Sequence, residues 1–400
     1  MLTIFPPEIV ERGEETVLQA KFECEDASDT LWFSTTNEFG GYLCHERGDA
    51  FLVAMLLYAM KKGEDIRILA PVSERLYYTV TKHLVRVLAE ILNVPQIKII
   101  CDLDDGKIEN AGAVGTGFSC GIDSFCTVIE HMDESCPPHY RLTHLTFFNV
   151  GASGDYGGEE ARELFRRRIE AVKPCAEELG LPLVTLDSNI SEILSMNFVQ
   201  THTYRNVAAA LALQKLFNVY YYSSTYSLKH FELSGAPSYY DIYILDMLST
   251  NNIKFYSTGK IYSRVEKTEI VSHSTLSHKY LNVCVADDRN CSRCNKCQRA
   301  LLTLDVLGKL ELYDEVFDLN DYRVHRSKYF GKMLSARKSE LFQQEIYDAI
   351  KERDYHIPTS AHLYRCVYTA LDFGVKYCPQ FIRESELIRS SYRKLIGNKP

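Results

Sequence analysis

Between residues 113 and 222 short apolar runs alternate with longer amphipathic stretches, and that alternation leaves few architectures open. Strands that each lead into a helix and return to one sheet pair in parallel, with helices over both faces. The runs at 113–118, 145–150, 183–186 and 219–222 are the expected strands, and 123–132, 159–179 and 204–217 the expected helices. The fold class that follows is α/β, a doubly wound, Rossmann-like parallel sheet. At 400 residues the chain exceeds what one core usually fills. Residues 1–105 read as an N-terminal α/β domain, with helices near 48–60 and 73–92 and strands at 66–70 and 97–101. The polar Asp102-Leu103-Asp104-Asp105-Gly106 then marks a boundary. The main domain is expected over 106–300 and a helical C-terminal region over 301–400.

The most informative segment is Ser119-Cys120-Gly121-Ile122-Asp123-Ser124, where the first of these strands turns into a helix. In a parallel sheet such a turn sits at the carboxyl edge, where backbone N–H groups and the positive helix end favour an anion. Gly121 lets the backbone approach closely, Ser119 and Ser124 add hydroxyls, and Asp123 is placed to hold Mg²⁺ against phosphate oxygens. The plain alternative is a Ser/Asp helix cap beside a tight-turn glycine. The segment resembles the Ser-Gly-Gly-x-Asp-Ser loop of the N-type ATP pyrophosphatases, the PP-loop or adenine nucleotide α-hydrolase-like superfamily. That resemblance implies that residues 119–124 hold the pyrophosphate of an ATP split between its α and β phosphates. Cys120 stands where the family loop has glycine, and backbone binding is expected to survive if Cys120 keeps a negative φ.

Thirteen cysteines are present, four of them within Cys284-x6-Cys291-x2-Cys294-x2-Cys297. An odd number with one tight group suggests reduced thiols plus one metal site. Tetrahedral Zn²⁺ takes four thiolates, and the intervening Asn290, Ser292, Arg293, Asn295 and Lys296 are too polar for a core. The expectation is a closed, structural zinc knuckle, with an iron–sulfur cluster as the lesser alternative.

A PP-loop turn followed by this cysteine pattern is similar to the 7-cyano-7-deazaguanine synthase family, over about residues 112–305. Three further matches keep the same order: Val184-Thr185-Leu186-Asp187 ending a strand, Tyr204-Arg205-Asn206 opening a helix, and Lys267-Thr268-Glu269-Ile270-Val271. The stretch Gly235-Ala236-Pro237-Ser238-Tyr239-Tyr240-Asp241 departs from the family's deazapurine-recognition pattern, so the nitrile product is not carried over. Arg205, Arg264 and Lys267 are expected as cationic clamps that stabilise the departing pyrophosphate, with Arg205, Lys267 and Asp123 the catalytic set. Asp187 is expected at Mg²⁺ or the ribose. Each has a bland alternative as a solvated charge or a cap. Tyr220, Tyr221, Tyr222, Tyr226, Tyr239, Tyr240 and Tyr243 could stack on a planar substrate or pack the sheet, and His202 could be a base or satisfy a local hydrogen bond.

The function expected is an ATP-dependent carbon–nitrogen ligase using ATP, Mg²⁺ and Zn²⁺, which adenylates a carboxylate or amide oxygen and passes the acyl group to an amine or ammonia. Three rivals stay open. One is sulfur transfer, which Cys120 and Cys126 invite. Another is a ligase acting on a protein partner, and the third a degenerate nucleotide-binding scaffold. A homodimer is left open. A net charge of −8 argues weakly against nucleic acid, although residues 321–400 carry 15 Lys+Arg against 9 Asp+Glu. No apolar run approaches a membrane span and the first residues lack a basic leader, so a cytoplasmic, membrane-free protein is expected.

Overall fold

The computed structural model describes residues 1–233 and 236–377, the side chains of 371–377 excepted. It is a mixed α/β structure in which eleven strands share one mostly parallel sheet. Five parallel strands lie in the order Leu183–Ser188, His144–Asn149, Ala113–Gly117, Phe217–Ser223, Lys254–Thr258. Numbered along the chain this is 3-2-1-4-5, and the winding reverses between Ala113–Gly117 and Phe217–Ser223. Sheets of this topology bind ligands outside the carboxyl ends of the strands at that reversal. A Cβ on Gly115 would stand 2.5 Å from the Phe217 ring, so only glycine admits this strand pair at its observed spacing.

Helices cover both faces. Tyr220 and Phe148 join the core under the helix Phe198–Ala212, while Phe147 stacks on Phe165 of the helix Glu159–Leu179 at 5.6 Å on the other side. The helix over 198–212 begins six residues before the expected 204, because the Asn197 side chain accepts from the Val199 N–H and caps it. Tyr204-Arg205-Asn206 therefore lies inside a helix and does not open one.

The first 36 residues differ from the expected small α/β unit. Glu15–Glu23 pairs antiparallel with Leu2–Ile4, Glu8–Arg12 and Ser28–Thr36, and Ser28–Thr36 pairs antiparallel with Leu183–Ser188. The sheet thus runs unbroken across the boundary placed at 105/106. One core holds Leu18, Phe33 and Leu52 together with Leu186, Leu211 and Phe255. The polar 102–106 segment is tied down as well, since the buried Arg47 donates to Asp104, Ser73 and Gly106.

Contacts divide the chain into two compact units, 1–119 with 127–261, and 120–126 with the residues from 262 onward. The second unit is helical, with Arg264–Val271, Asn295–Val306, Leu319–Ala336, Leu341–Glu352 and Thr359–Tyr377 as its longer helices. The turn over 120–126 and the four cysteines share this unit, a different grouping from the one expected over 106–300. Gly235 of the departing family stretch, and 378–400 of the helical tail, lie outside the described residues. No helix among the described residues is long and apolar enough to cross a membrane.

Candidate anion site and metal centre

The strand Ala113–Gly117 ends in the turn, and the helix Ile122–Met132 begins within it. The Phe125 N–H and the Ser124 hydroxyl both donate to the Gly121 carbonyl, at 2.9 and 3.0 Å. Cys120 is buried with φ at +57°, the left-handed region. The negative φ expected there is not found. The turn keeps a backbone conformation suited to glycine although a side chain is attached.

A capping box starts the next functional helix. Ser263 accepts from the Glu266 N–H and Glu266 from the Ser263 N–H, which sets Arg264 and Lys267 one turn apart on the same face. Both reach Asp123: Arg264 Nη2 lies 2.7 Å from Oδ2, and Lys267 Nζ 3.1 Å from Oδ1. Lys267 is buried, and Arg264 also donates its backbone N–H to Glu345 at 2.8 Å. The helices Arg264–Val271, Asn295–Val306 and Leu341–Glu352 pack on one another. Phe342 takes the Arg264 guanidinium at 5.2 Å from its ring centre and the Arg299 guanidinium at 4.3 Å. Lys296, one turn before Arg299 on the same helix, is exposed. Arg264, Lys267 and Arg299 thus gather about Asp123 and Phe342, and cations so placed are suited to a phosphate-class anion. Lys296, Arg299 and Glu345 were not anticipated from sequence. The available signal was the i, i+3 spacing of Lys296 and Arg299 on the helix that leaves the cysteine motif.

The four cysteine sulfurs all lie within 4.8 Å of one another. Separations of 3.5 Å for Cys294–Cys297 and 4.0 Å for Cys284–Cys294 and Cys291–Cys297 match the roughly 3.8 Å between thiolates bound tetrahedrally at about 2.3 Å from zinc. The Cys294 N–H points at Cys291 Sγ and the Cys297 N–H at Cys294 Sγ, so the backbone favours charged sulfur. The neighbouring Cys297 sulfur, with the backbone N–H groups of Cys297 and Val285, holds the Cys294 thiol well below its ordinary range. The donor set fits a metal such as zinc. Asn290 braces the loop, donating to the Leu281 and Val316 carbonyls and accepting from the Val283 N–H.

Ser119, Asp187 and Arg205 belong to the first unit. Asp187 accepts from Asn149 at 2.7 Å and lies 3.3 Å from Arg162 Nε; desolvation raises its pKa. Arg162, a residue the sequence did not single out, also pairs with Glu192. Arg205 is fully buried and donates to the carbonyls of Val150, Asp155 and Met196 and to the Ser191 hydroxyl. Desolvation lowers it to about 10. These contacts give Arg205 the work of holding the 150–155 loop. His202 Nδ1 meets the Tyr222 hydroxyl at 2.6 Å, and desolvation takes the imidazole down to about 4. Tyr220 and Tyr221 pack the sheet, with Tyr221 against His131 at 3.7 Å, and Tyr226 stacks on Tyr239 at 4.3 Å. Comparison with protein-family models, curated proteins and solved structures finds no match for this chain.

Proposed function

We propose that the protein is an ATP-dependent enzyme of the PP-loop kind, which activates a carboxylate or amide oxygen as an adenylate and transfers the acyl group to a nitrogen nucleophile. The observation that carries this reading is Asp123 bridged by Arg264 and Lys267 in the turn that follows the strand Ala113–Gly117. The Ser-x-Gly-x-Asp-Ser pattern and the order of the later family-like segments support it.

In the first step the substrate oxygen attacks the α phosphorus, the bond to the α,β-bridging oxygen breaks, and pyrophosphate leaves. Negative charge grows on that oxygen, and cations already fixed in place stabilise it preferentially in the transition state. Lys267 and Arg264 are held by Asp123 before substrate arrives, so little reorganisation is needed. An amine or ammonia then displaces AMP and loses a proton, which divides one difficult substitution into two easier ones. Mg²⁺ would neutralise phosphate charge when bound.

The test is incubation with Mg-ATP and a panel of acids that includes 7-carboxy-7-deazaguanine, with ammonia as acceptor and AMP separated from ADP. AMP and pyrophosphate are expected, and Asp123→Asn should lower their formation by about 100-fold or more. ADP as the nucleotide product would overturn the reading. Nucleotide binding without turnover would favour a scaffold, which the left-handed Cys120 makes the second reading.

A further inference from the structure

The metal loop touches the anion site at both of its ends. On its N-terminal side the Asn282 N–H donates to the Cys120 carbonyl at 2.8 Å, at the start of the turn. The same Asn282 accepts from the Cys284 N–H at 3.2 Å and donates to the Asp288 carbonyl at 2.5 Å, so its position follows that of the first cysteine. On its C-terminal side Cys294 caps the helix Asn295–Val306, whose first turn holds Lys296 and Cys297. Arg299, one turn on from Lys296, lies over the Phe342 ring that also takes Arg264. Arg264 in turn holds Asp123.

We infer that Lys296 and Arg299 complete a phosphate-class anion site, and that this site and the four-cysteine metal centre form one thermodynamic unit in which each ligand strengthens the binding of the other. The inference rests on the anion-binding part of the proposed function but needs no turnover. With the metal in place, four thiolates fix the entry angle of the helix and the position of Asn282. Without it, the first helical turn loses its cap and the turn at Cys120 loses a fixed donor. Linkage is reciprocal, so an anion that needs this geometry must raise metal affinity by the factor by which the metal raises anion affinity.

The probe is inorganic phosphate. Zinc affinity of the full chain is measured by equilibrium competition with a chromophoric chelator, with and without saturating phosphate. An increase of about fivefold or more is expected, the lower end of ordinary coupling between sites. Lys296→Met, at an exposed side chain whose loss should not disturb folding, is expected to cut that increase, and Arg299→Met to cut it further while zinc content stays at the wild-type level. Zinc affinity indifferent to phosphate in the wild type would overturn the inference, as would an undiminished increase in Lys296→Met. A wild-type protein that shows the linkage but forms no AMP would remove the adenylation reading alone.

Discussion

The backbone at Cys120 sits where L-residues are strained by about 1–2 kcal/mol, because Cβ approaches the following carbonyl oxygen. Glycine would relieve that strain, but it gives up the buried thiol and frees the unfolded chain. Cys120→Gly should therefore lie within about 1 kcal/mol of wild type in urea unfolding, whereas a β-branched Cys120→Val should be about 2 kcal/mol or more less stable. Equal stabilities for the two variants would show that the turn does not hold φ at +57°. His202 gives a second prediction. Its folded pKa of about 4, set by desolvation and then by Arg205, lies below the unfolded value near 6.5. The unfolded state then binds more protons between those values, so stability rises with pH across that window. Acidifying from pH 7 to 5 should cost the wild type about 2 kcal/mol that His202→Gln does not lose. Unfolding free energies with the same pH slope in both proteins would refute it. At this scale the sequence singled out Asp123, Arg264 and Lys267 from two separate segments, and the structure brings the three side chains together. Lys296 and Arg299 were not singled out, since polar residues within and after a cysteine loop read as solvated surface until tertiary packing sets Arg299 over Phe342.

Elements with a long, strong period were legible and short or exposed ones were not. The helix Glu159–Leu179 falls on the residues its periodicity predicts, and Ala113–Gly117, His144–Asn149 and Leu183–Ser188 lie within two residues of expectation. Glu8–Arg12 is largely exposed on both faces and shows no two-residue alternation, so nothing in its sequence marks it as a strand. Lys254–Thr258 was not singled out, because polar Lys254, Ser257 and Thr258 leave it no apolar run of the kind that marked Ala113–Gly117. The cysteine loop is the reverse case, an element with no periodicity that spacing alone reveals. Its folding free energy should come largely from metal, because the polar residues between the ligands bury little apolar surface. Cys294→Ser removes a thiolate from the set while leaving a hydroxyl that can still cap the helix Asn295–Val306. Loss of bound zinc together with a Tm lower by several degrees is expected, read by metal analysis and thermal melting. A protein depleted of zinc but melting at the wild-type temperature would mean that the loop folds on its side chains alone.

The first unit carries one sheet where two domains were expected from sequence, and the junction between its halves shows why the boundary was illegible. Thr35 pairs with Leu186, Ser34 with Asp187 and Phe33 with Ser188. The Thr35 hydroxyl donates to the Thr185 carbonyl, the Ser188 hydroxyl to the Trp32 carbonyl, and Asn189 bonds both Trp32 and Thr30. Antiparallel pairing between segments some 150 residues apart leaves no local signature. The polar run at 102–106 gave a clear signal of the wrong kind, since it is a pinned connection within one unit. Residues 1–105 should therefore not unfold alone, because doing so would expose the edge of Leu183–Ser188 and open the shared core. Trp32, the single tryptophan, reports on this at the junction. Phe255 is buried on the last strand of the parallel series, five strands along the sheet, with its ring against Tyr220. Phe255→Ala should remove about 3–5 kcal/mol. If the first unit is cooperative, the midpoint of Trp32 fluorescence in urea falls by the full equivalent of that loss, although Phe255 and Trp32 share no contact. An unmoved Trp32 transition beside a destabilised Phe255 strand would restore an independent N-terminal domain.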